Sequence, residues 1–547
     1  MKKKGILFLN LILLLGCLLF FVLKPVLAGP IRLRIAGEQE IESILEARTQ
    51  VLEPFFTELA FSGEKLPFDR NTSTFYLPLN METSAWETGT LTSLSPDVEI
   101  FFAEDFTKED KQGAIGEGKT FRFYAVRGGE YQVCSLAVTG LPIISIETEE
   151  TADTEVFGGT VCFWDCADKR NWVSSNILEA HIRGNTSRTY PKKGYRLSLK
   201  TQDKKGNIVP DKKSLFGMRK DDEWILNAMY SDASKIRDKL SLDVWNDFGA
   251  SAEEFPNARF GTDLTYVEVF FNQEYWGLYG LMEPVDSKQL DLGREEEGKP
   301  AEYSYKAITA QSIPTGELEE AEMSGEQLAG FELKGRYASI GRDTWEPLLL
   351  YLKFRDLADN ETFVEELPDL VDTEGALNVW IYLQAVLGID NRAKNMYYVA
   401  KSTGSGQKMY FVPWDMDITW GDSLWEGAGE NIWDVKMNTA LYSERINWTL
   451  GDRMVELDAL GSRDYVKETW RKLREGPLAD DALMGRVDGL VHEIRDSGAL
   501  SRNEERWPES NSEADYVLFK RMALYRMKIL DYYFDGNLEE YLGLGYE

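Results

Sequence analysis

The chain has 547 residues, of which 43% are hydrophobic and 12% aromatic, and its formal net charge is −31. This length suits about three domains, and the composition excludes a largely disordered chain. So acidic a surface repels nucleic acid, which excludes a general nucleic-acid binder. The only two histidines are His181 and His492, so a His-ligated zinc or a Ser-His-Asp triad would have to use one of them.

Residues 1–28 predict a signal peptide or a membrane anchor. Lys2–Lys4 precede an apolar run from Ile6 to Leu23, which is the order of charge and hydropathy in a membrane-targeting segment. Lysines at this end stay in the cytoplasm, so the rest of the chain is expected to be extracytoplasmic, either membrane-anchored or secreted. An uncleaved anchor and a signal cleaved after Ala28 fit equally, and a lipoprotein signal at Cys17 ranks third.

Residues 29–140 predict a part of the chain that carries no catalytic pattern. Apolar residues at helical spacing over Ile41–Leu59 indicate a helical linker within 29–65. Residues 66–140 contain short β-like runs that predict a small antiparallel β-sandwich, a spacer or binding module. Beyond the membrane segment two of the three cysteines are expected to form a disulfide, with Cys162 and Cys166 favoured and Cys134 as the competitor.

Residues 141–450 hold the patterns that indicate chemistry. Two alternating strands within Ile177–Lys200 flank a polar loop, and this stretch is rich in basic residues. In an acidic chain such a cluster, with backbone and hydroxyl donors beside it, favours phosphate binding. A solvated hairpin tip is the alternative. The residues concerned are Arg183, Asn185, Ser187, Arg188, Lys192 and Lys193.

Further elements follow in order. Trp224–Tyr230 predicts a strand, and Lys235–Phe248 predicts an amphipathic helix that ends at Gly249. A hairpin is expected about Asn272 and Gln273, with Glu283 just past its end. The other predicted elements are a polar surface insertion at Asp291–Glu320 and helices at Trp345–Ala358 and Thr373–Val386.

The most informative stretch runs from Val386 to Gly421. Two apolar runs, Met396–Ala400 and Met409–Val412, predict a β-hairpin with a long turn. Asp390 stands before it, Asn395 at its mouth, and Asp415 and Asp417 leave its second strand. In a strand, residues two apart face the same side, so these two carboxylates are expected to point at one spot.

Clustered oxygen ligands suit magnesium, which takes one or two carboxylates and completes its shell with water and phosphate oxygens. Asp390 and Asn395 also have the spacing of the base Asp and the metal-binding Asn in a kinase catalytic loop, and a later Asp holds the metal there. The alternative is that these residues only build turns.

Taken together, these motifs resemble the CotH family, the spore-coat-protein-H type of atypical protein kinase, over roughly residues 141–540. The resemblance rests on Leu141–Ile146, Arg183–Ser187, Pro191–Arg196, Gly277–Glu283, Asp390 to Asn395 and Pro413–Asp417. It implies a distant kinase-like, two-lobed α+β fold and Mg- or Mn-dependent phosphoryl transfer from ATP to Ser or Thr of a protein acceptor. Thr186 stands where the family usually has Ser, and Gln273 where it usually has Gly.

The resemblance also implies roles for individual residues. Asp390 becomes the catalytic-loop Asp, with Asn395 and Asp415 as metal ligands and Asp417 as a second ligand or an orienting partner. The strand with Lys192, Lys193 and Arg196 becomes the phosphate-binding side. The expected nucleotide site further includes Arg183, Asn185, Ser187 and Glu283.

Residues 451–547 predict a helical C-terminal part of the same domain, in which Phe519–Phe534 packs against other helices. Two other functions remain open. ATP is scarce outside cells, which favours a non-catalytic surface or spore-coat assembly protein, pseudokinase or adhesin-like. Metal-dependent hydrolysis of a glycan or phosphate would use similar acids.

Overall fold

The computed structural model describes residues 34–78, 90–106, 111–116, 118–165, 173–293, 300–309, 323–324, 326–328, 330–335, 337, 340–391, 394–404, 406–422, 432–437, 442, 448–510 and 514–544. The predicted membrane segment at 1–28 lies outside these residues, and no helix among them is long and apolar enough to cross a bilayer. The fold is mixed α+β. Two compact units are present, the first being Met1–Ser145, Phe163–Ser174 and Phe270–Tyr275, the second Ile146–Cys162, Ser175–Val269 and Trp276–Glu547.

The first unit is built mainly of strands. They are β1 Arg34–Ile35, β2 Thr49–Gln50, β3 Leu59–Phe61, β4 Glu64–Lys65, β5 Phe68–Asp69, β6 Thr74–Pro78, β7 Leu91–Ser93, β8 Glu99–Phe102, β9 Thr120–Arg127 and β10 Glu130–Thr139. Two helices accompany them, α1 Glu38–Glu46 and α2 Lys111–Gly116. One sheet has the order β1-β8-β9-β10-β6-β5, with β2 also paired to β10, and a second has the order β4-β3-β7.

Both sheets contribute to one aromatic core. Phe102 and Phe123 stack with ring centroids 4.8 Å apart, and Phe75 lies 5.8 Å from Phe123. The predicted strands of this region are confirmed, but the expectation of a purely antiparallel arrangement is wrong, because β6 pairs with β10 and β1 with β8 in parallel.

The predicted helix over Ile41–Leu59 is also wrong beyond Glu46. The chain after α1 runs along β10 instead, where the Phe55 and Phe56 N–H groups donate to Gln132 Oε1 at 2.9 and 2.8 Å. A buried amide side chain that satisfies two backbone donors outweighs the local helical periodicity.

The cysteine expectation is resolved for one residue. Cys134 is a buried thiol in this core, and burial raises its pKa. It forms no disulfide, so it is not the competitor that the sequence suggested. Cys166 lies outside the described residues, and its pairing with Cys162 stays a prediction.

The next strands lie mostly in the second unit and are β11 Ile143–Glu147, β12 Val156–Trp164, β13 Val173–Arg183, β14 Gly194–Gln202, β15 Ile208–Pro210, β16 Lys213–Ser214, β17 Lys220–Asp221, β18 Glu223–Asn227, β19 Leu264–Phe271 and β20 Glu274–Met282. Later strands are β21 Tyr303–Ala307, β22 Met323–Ser324, β23 Gln327–Leu328, β24 Phe331–Lys334, β25 Met396–Thr403 and β26 Gly406–Pro413. The helices are α3 Arg237–Phe248, α4 Glu346–Leu357, α5 Asn360–Leu370, α6 Thr373–Val386, α7 Thr449–Glu456, α8 Ser462–Glu475, α9 Asp480–Asp496, α10 Ala499–Arg506, α11 Tyr516–Phe534 and α12 Leu538–Leu542.

The larger sheet of this unit has the order β13-β12-β11-β19-β20-β18-β14-β15, and β13 also pairs with β14, so the sheet closes on itself. The hairpin β19–β20 turns at Asn272 and Gln273, whose φ angles are 51° and 61°. Two successive positive φ angles are typical of a two-residue hairpin turn. Gln273 therefore adopts the left-handed conformation that the family's usual glycine takes without steric cost.

The second sheet of this unit has the order β22-β23-β24-β21-β25-β26. Strand β21 pairs with both β24 and β25. The expectation that Asp291–Glu320 is a surface insertion is therefore wrong for 303–307, although 310–320 lie outside the described residues. The β25–β26 hairpin is confirmed, with a turn tighter than expected, because Thr403 pairs with Gly406.

Helix α6 is the most deeply buried of the described helices, since all of 379–386 is buried. Its Trp380 stacks on Phe534 of α11 at 5.5 Å, and Trp470 of α8 meets the same ring at 5.3 Å. The predicted packing role of the C-terminal helices is confirmed by these contacts. Helix α5 was not expected, because Pro368 near its end and several acidic residues interrupt the apolar pattern.

A buried carboxyl on α7 supplies a test of this packing. Asp452 Oδ1 accepts hydrogen bonds from Trp380 Nε1 at 2.9 Å and from the Tyr442 hydroxyl. Burial raises the pKa of Asp452 to about 7, against the opposing effect of these two donors. A carboxyl whose pKa is higher in the folded than in the unfolded chain binds a proton on folding, so stability falls as pH rises from about 4 towards the folded pKa.

Asp452→Asn keeps an acceptor for both donors and removes the charge. We expect a higher thermal unfolding midpoint than wild type at pH 8 and little difference near pH 4, measured by calorimetry. Asp369→Asn, at an exposed position, is the matched control and should change neither midpoint. A variant less stable than wild type at pH 8 would contradict this interpretation.

Candidate active site

Helix α6 brings the chain to Asp390, as the sequence predicted. The helix ends at Val386, the next residue, Leu387, takes a left-handed φ of 54°, and the Gly388 N–H donates to Leu383 O at 3.1 Å. A Cβ at position 388 would lie 2.7 Å from Leu383 Cδ2. Glycine therefore permits the sharp exit that places Asp390 beside the start of β25.

The loop that follows is tied to the end of β26 by one amide. Asn391 Nδ2 donates to Asn395 O at 3.1 Å and to Trp414 O at 2.8 Å. The Trp414 N–H donates in turn to Asn395 O at 3.0 Å. Asn391 is completely buried, so these bonds hold the two ends of the hairpin together in a site where unpaired backbone groups would be costly.

Asp390 and Asn395 contact each other directly. Asn395 Nδ2 donates to Asp390 Oδ2 at 3.0 Å, and Lys394 Nζ lies 2.8 Å from the same oxygen. Burial raises the pKa of Asp390, and nearby Asp415 raises it further, while the Lys394 and Asn395 donors oppose the shift. Because Asn395 donates through its nitrogen, its side-chain oxygen is the atom that can act as a ligand.

Asp415 and Asp417 lie beyond β26 and not in it. Asp415 has a left-handed φ of 60°, so the argument that strand alternation makes the two carboxylates face one side is wrong. Their charges nevertheless interact: burial raises the pKa of Asp417 well above its usual range, and the charge of Asp415 adds to this shift. Ser231 Oγ donates to Asp417 Oδ2 at 3.2 Å.

Helix α3 fixes this segment through residues that the sequence analysis did not single out. Asp238 Oδ1 accepts the Met416 N–H at 2.7 Å, and its other oxygen accepts Asn227 Nδ2 at 2.7 Å. Burial, with a contribution from Asp415, raises the pKa of Asp238 to about 7. The sequence signal that could have identified Asp238 is its position as an acidic residue in the first turn of an otherwise amphipathic helix.

Two further residues of α3 hold the next turn. Arg237 Nε donates to Thr419 O at 3.0 Å. Ser241 Oγ lies 3.0 Å from Thr419 Oγ1 and accepts Trp420 Nε1 at 3.0 Å. Asp415 and Asp417 therefore stand on a segment anchored from both ends.

The acids of the site differ in their partners. Asp232 forms an ion pair with Arg237, and Asp390 has Lys394. Within the described ranges, neither Asp415 nor Asp417 forms an ion pair. Carboxylates clustered without a cation repel one another, and a bound cation relieves that repulsion.

No group of three or more His, Cys, Asp or Glu side chains in the described part of the chain is arranged to hold a metal ion. Magnesium is commonly held by one or two carboxylates with water and phosphate oxygens completing its shell. The donor set of Asn395, Asp415 and Asp417 fits that pattern.

The basic loop between β13 and β14 is confirmed as a hairpin, with Arg183 paired to Gly194. Asn185 is exposed and Ser187 is half-buried in a short 3₁₀ turn. The guanidinium of Arg183 lies 5.7 Å from the centroid of the Trp414 ring. Arg183 therefore contacts Trp414, the residue that follows the β25–β26 hairpin.

The neighbouring basic residues have partners within the protein. Lys193 Nζ donates to Arg188 O at 2.9 Å and to Tyr190 O at 2.6 Å. Arg196 Nε donates to Glu223 Oε2 at 2.8 Å, and its side chain is 36% exposed. Lys193 and Arg196 therefore already donate hydrogen bonds within the protein.

Lys192 points into the protein. It is completely buried, and its ammonium group donates to Ala228 O at 2.9 Å, to Asn503 Oδ1 at 2.8 Å and to Leu278 O. Burial lowers its pKa well below the usual range. All three ammonium protons have protein acceptors, so Lys192, which lies just before β14, links its segment to Ala228, to β20 and to α10 in this conformation and is not directed at a ligand.

Glu283 belongs to a different cluster. It is 1% exposed, its Oε1 accepts the Arg219 N–H at 2.7 Å, and Arg259 lies 3.5 Å from its Oε2. Burial raises its pKa, and the charges that act on it are Asp263, Arg219 and Arg259. Asp390, Asp415 and Asp417 are not among the charges that act on Glu283.

Lys306 is a site residue that the sequence analysis missed. It lies on β21 opposite Tyr397, and its ammonium is 5.7 Å from the Trp414 ring centroid. Burial lowers its pKa to about 8, and Asp415 opposes the shift. The sequence analysis missed Lys306 because the polar, acidic residues before and after β21 predicted a surface insertion.

Comparison with known families supports the resemblance drawn from the motifs. The model of the family described as CotH kinase protein matches residues 180–523, more than half of the chain. The match contains Arg183, Asp390, Asn395, Asp415 and Asp417. A search of curated proteins found no match.

The geometry of Lys192 gives a test. Lys192→Met removes a buried donor from three acceptors, so we expect a loss of roughly 3 kcal/mol or more in the free energy of unfolding. Lys212→Met, at an exposed position, removes the same charge and should cost almost nothing. Denaturant unfolding of both variants measures the difference. Full stability of the Lys192 variant would contradict the structural role.

Proposed function

Because the chain belongs to the CotH kinase protein family, we propose that it is an atypical protein kinase with a distant kinase-like fold. It would transfer a phosphoryl group from ATP to Ser or Thr of a protein acceptor, with magnesium or manganese. The observation that carries the proposal is the hydrogen-bonded pair Asp390–Asn395 beside two carboxylates, Asp415 and Asp417, that have no cation partner in the described residues. The order of these residues along the chain is that of a kinase catalytic loop and its metal-binding Asp.

Asp390 would act as the base that orients the acceptor hydroxyl and takes its proton. Its Oδ2 is occupied by Lys394 and Asn395, which fix the carboxyl plane and leave Oδ1 for the acceptor. A base must lie within hydrogen-bond reach of the proton that it removes. The two donors would thus position the group without consuming both oxygens.

Asn395, Asp415 and Asp417 would hold the metal. A bound magnesium ion supplies charge neutralisation between the phosphate oxygens. Asp415 would be the principal ligand, and Asp417, which accepts from Ser231, a second ligand or an orienting partner. Asp238 keeps the backbone between them in place through Met416.

The β13–β14 hairpin would bind the phosphates, with Arg183 closest to the hairpin end and the polar groups of Asn185 and Ser187 at the loop. Lys193 and Arg196 would add positive charge at this side. Lys192 and Glu283, which are buried among protein partners, would support the fold of the site and not contact the nucleotide.

The alternative, a non-catalytic surface or coat-assembly protein, differs in one measurable property. The purified chain incubated with labelled ATP and magnesium or manganese should transfer label to itself or to an added protein. Absence of both transfer and nucleotide binding would favour the alternative. The extracytoplasmic, membrane-anchored or secreted placement remains a proposal that rests on residues 1–28.

Asp390→Asn is the test of the base. We expect transfer to fall by about 10²-fold or more, because the proton acceptor is lost, while ATP binding is retained. Transfer rates and calorimetric ATP binding should be measured together. Asp496→Asn, on the exposed face of α9, is the control. If the Asp390 variant turns over at a rate close to that of wild type, Asp390 is not the base.

Asp415→Ala and Asp417→Ala test the metal site. We expect the first to abolish the dependence of ATP binding on magnesium and the second to weaken it less, since Asp417 already has a protein donor. Titration of ATP with and without magnesium gives the ranking. The reverse order exchanges the two roles, and unchanged metal dependence in both variants removes the metal site from the proposal.

A further inference from the structure

The half-buried lysine on β21 differs from the fully buried lysines of the chain. Lys192 donates to three oxygens, Lys235 to Ser510 O, Ser510 Oγ and Tyr230 O, and Lys401 to two carbonyls beside an ion pair with Glu302. Within the described residues, the Lys306 ammonium donates no hydrogen bond and forms no ion pair. Withdrawing an ammonium from water without an acceptor is costly, so such a group is expected to have a partner that the protein alone does not provide.

A second cation without a partner lies at the same place. Arg183 and Lys306 each lie 5.7 Å from the centroid of the Trp414 ring. The Arg183 guanidinium also forms no hydrogen bond or ion pair with a described residue, although it carries five donors. The two groups come from different sheets, β13 and β21, and repel each other, since Arg183 disfavours the charged form of Lys306.

The surroundings of this pair select the sign and kind of ligand. Two cations with free donors attract an anion rich in acceptors. Trp414 is followed directly by Asp415, one of the carboxylates without a cation partner. This region therefore combines a pair of cations with acids that a divalent ion would neutralise, and these are the two kinds of group that a metal-bound polyphosphate requires.

We propose that Lys306 and Arg183 form a cation cradle over Trp414 that binds the phosphate groups of the nucleotide. The inference rests on the proposed function and adds Lys306 to it. The guanidinium offers a planar fork to one phosphate, and the ammonium supplies a point charge to the same or the next phosphate. Contact with the reacting phosphate would make Lys306 a catalytic residue as well as a binding one.

The test is Lys306→Met, studied in the full chain by calorimetry with three probes in the presence of magnesium: ATP, adenosine and tripolyphosphate. We expect affinity for ATP and for tripolyphosphate to fall about tenfold or more, as befits the loss of a charge-assisted contact. Affinity for adenosine should not change. Lys306→Arg should restore most of the loss, because it keeps the charge.

Lys408→Met is the matched control. Lys408 is half-buried on β26 of the same sheet, opposite Lys401, so its loss changes the net charge equally but should leave all three affinities unchanged. Arg183→Met, at a half-buried position, provides the second variant if Lys306→Met does not fold. Its affinity for ATP should fall, and its affinity for adenosine should not change.

The outcomes separate this inference from the function on which it rests. Wild type that binds neither ATP nor tripolyphosphate overturns the proposed function. Wild type that binds ATP, with Lys306→Met or Arg183→Met binding it equally well, overturns the cradle alone. An equal loss of ATP and adenosine affinity shows a structural role for Lys306 and also overturns the cradle.

Discussion

A hydrogen bond from the Met416 N–H to the buried carboxyl of Asp238 is the contact on which the site depends. It lies between Asp415 and Asp417 in sequence and fixes the backbone that carries both. Asp415 has a left-handed φ of 60°, which costs a non-glycine residue of the order of 1 kcal/mol and persists only where other contacts enforce it. Helix α3 supplies those contacts.

The rest of the site follows from that anchoring. Once the turn after β26 is fixed, the Trp414 carbonyl and N–H meet Asn391 and Asn395, and Asn395 in turn reaches Asp390. Each bond lies in a buried or half-buried place, where an unpaired polar group is costly. Disturbing one member is therefore expected to move its neighbours.

Charge is distributed unevenly across this network. Most ionic groups nearby are paired, such as Asp232 with Arg237. Two acids, Asp415 and Asp417, and two cations, Arg183 and Lys306, form no ion pair with a described residue. Left alone, each pair repels within itself, and a ligand carrying both a divalent cation and phosphates relieves both repulsions together. Binding of metal and of nucleotide is therefore expected to be coupled in the proposed kinase.

The sequence by itself determined the locally encoded parts. Apolar periodicity located α3, α6 and the β25–β26 hairpin, and residue spacing placed Asp390 and Asn395 at the mouth of that hairpin. Such features depend on neighbours a few residues apart, so a single sequence contains the information. The family match agrees with what these motifs implied.

Only the tertiary structure decided which polar residues point at the site. Lys192 was expected on the phosphate side, but its ammonium reaches Asn503, 311 residues away in sequence. Lys306 and Asp238 join the site through β21 and α3, and no local pattern shows that β21 pairs with β25 or that α3 packs on the 414–420 segment. Burial and long-range hydrogen bonds fix the orientation of a side chain, and they arise only when distant segments pack together.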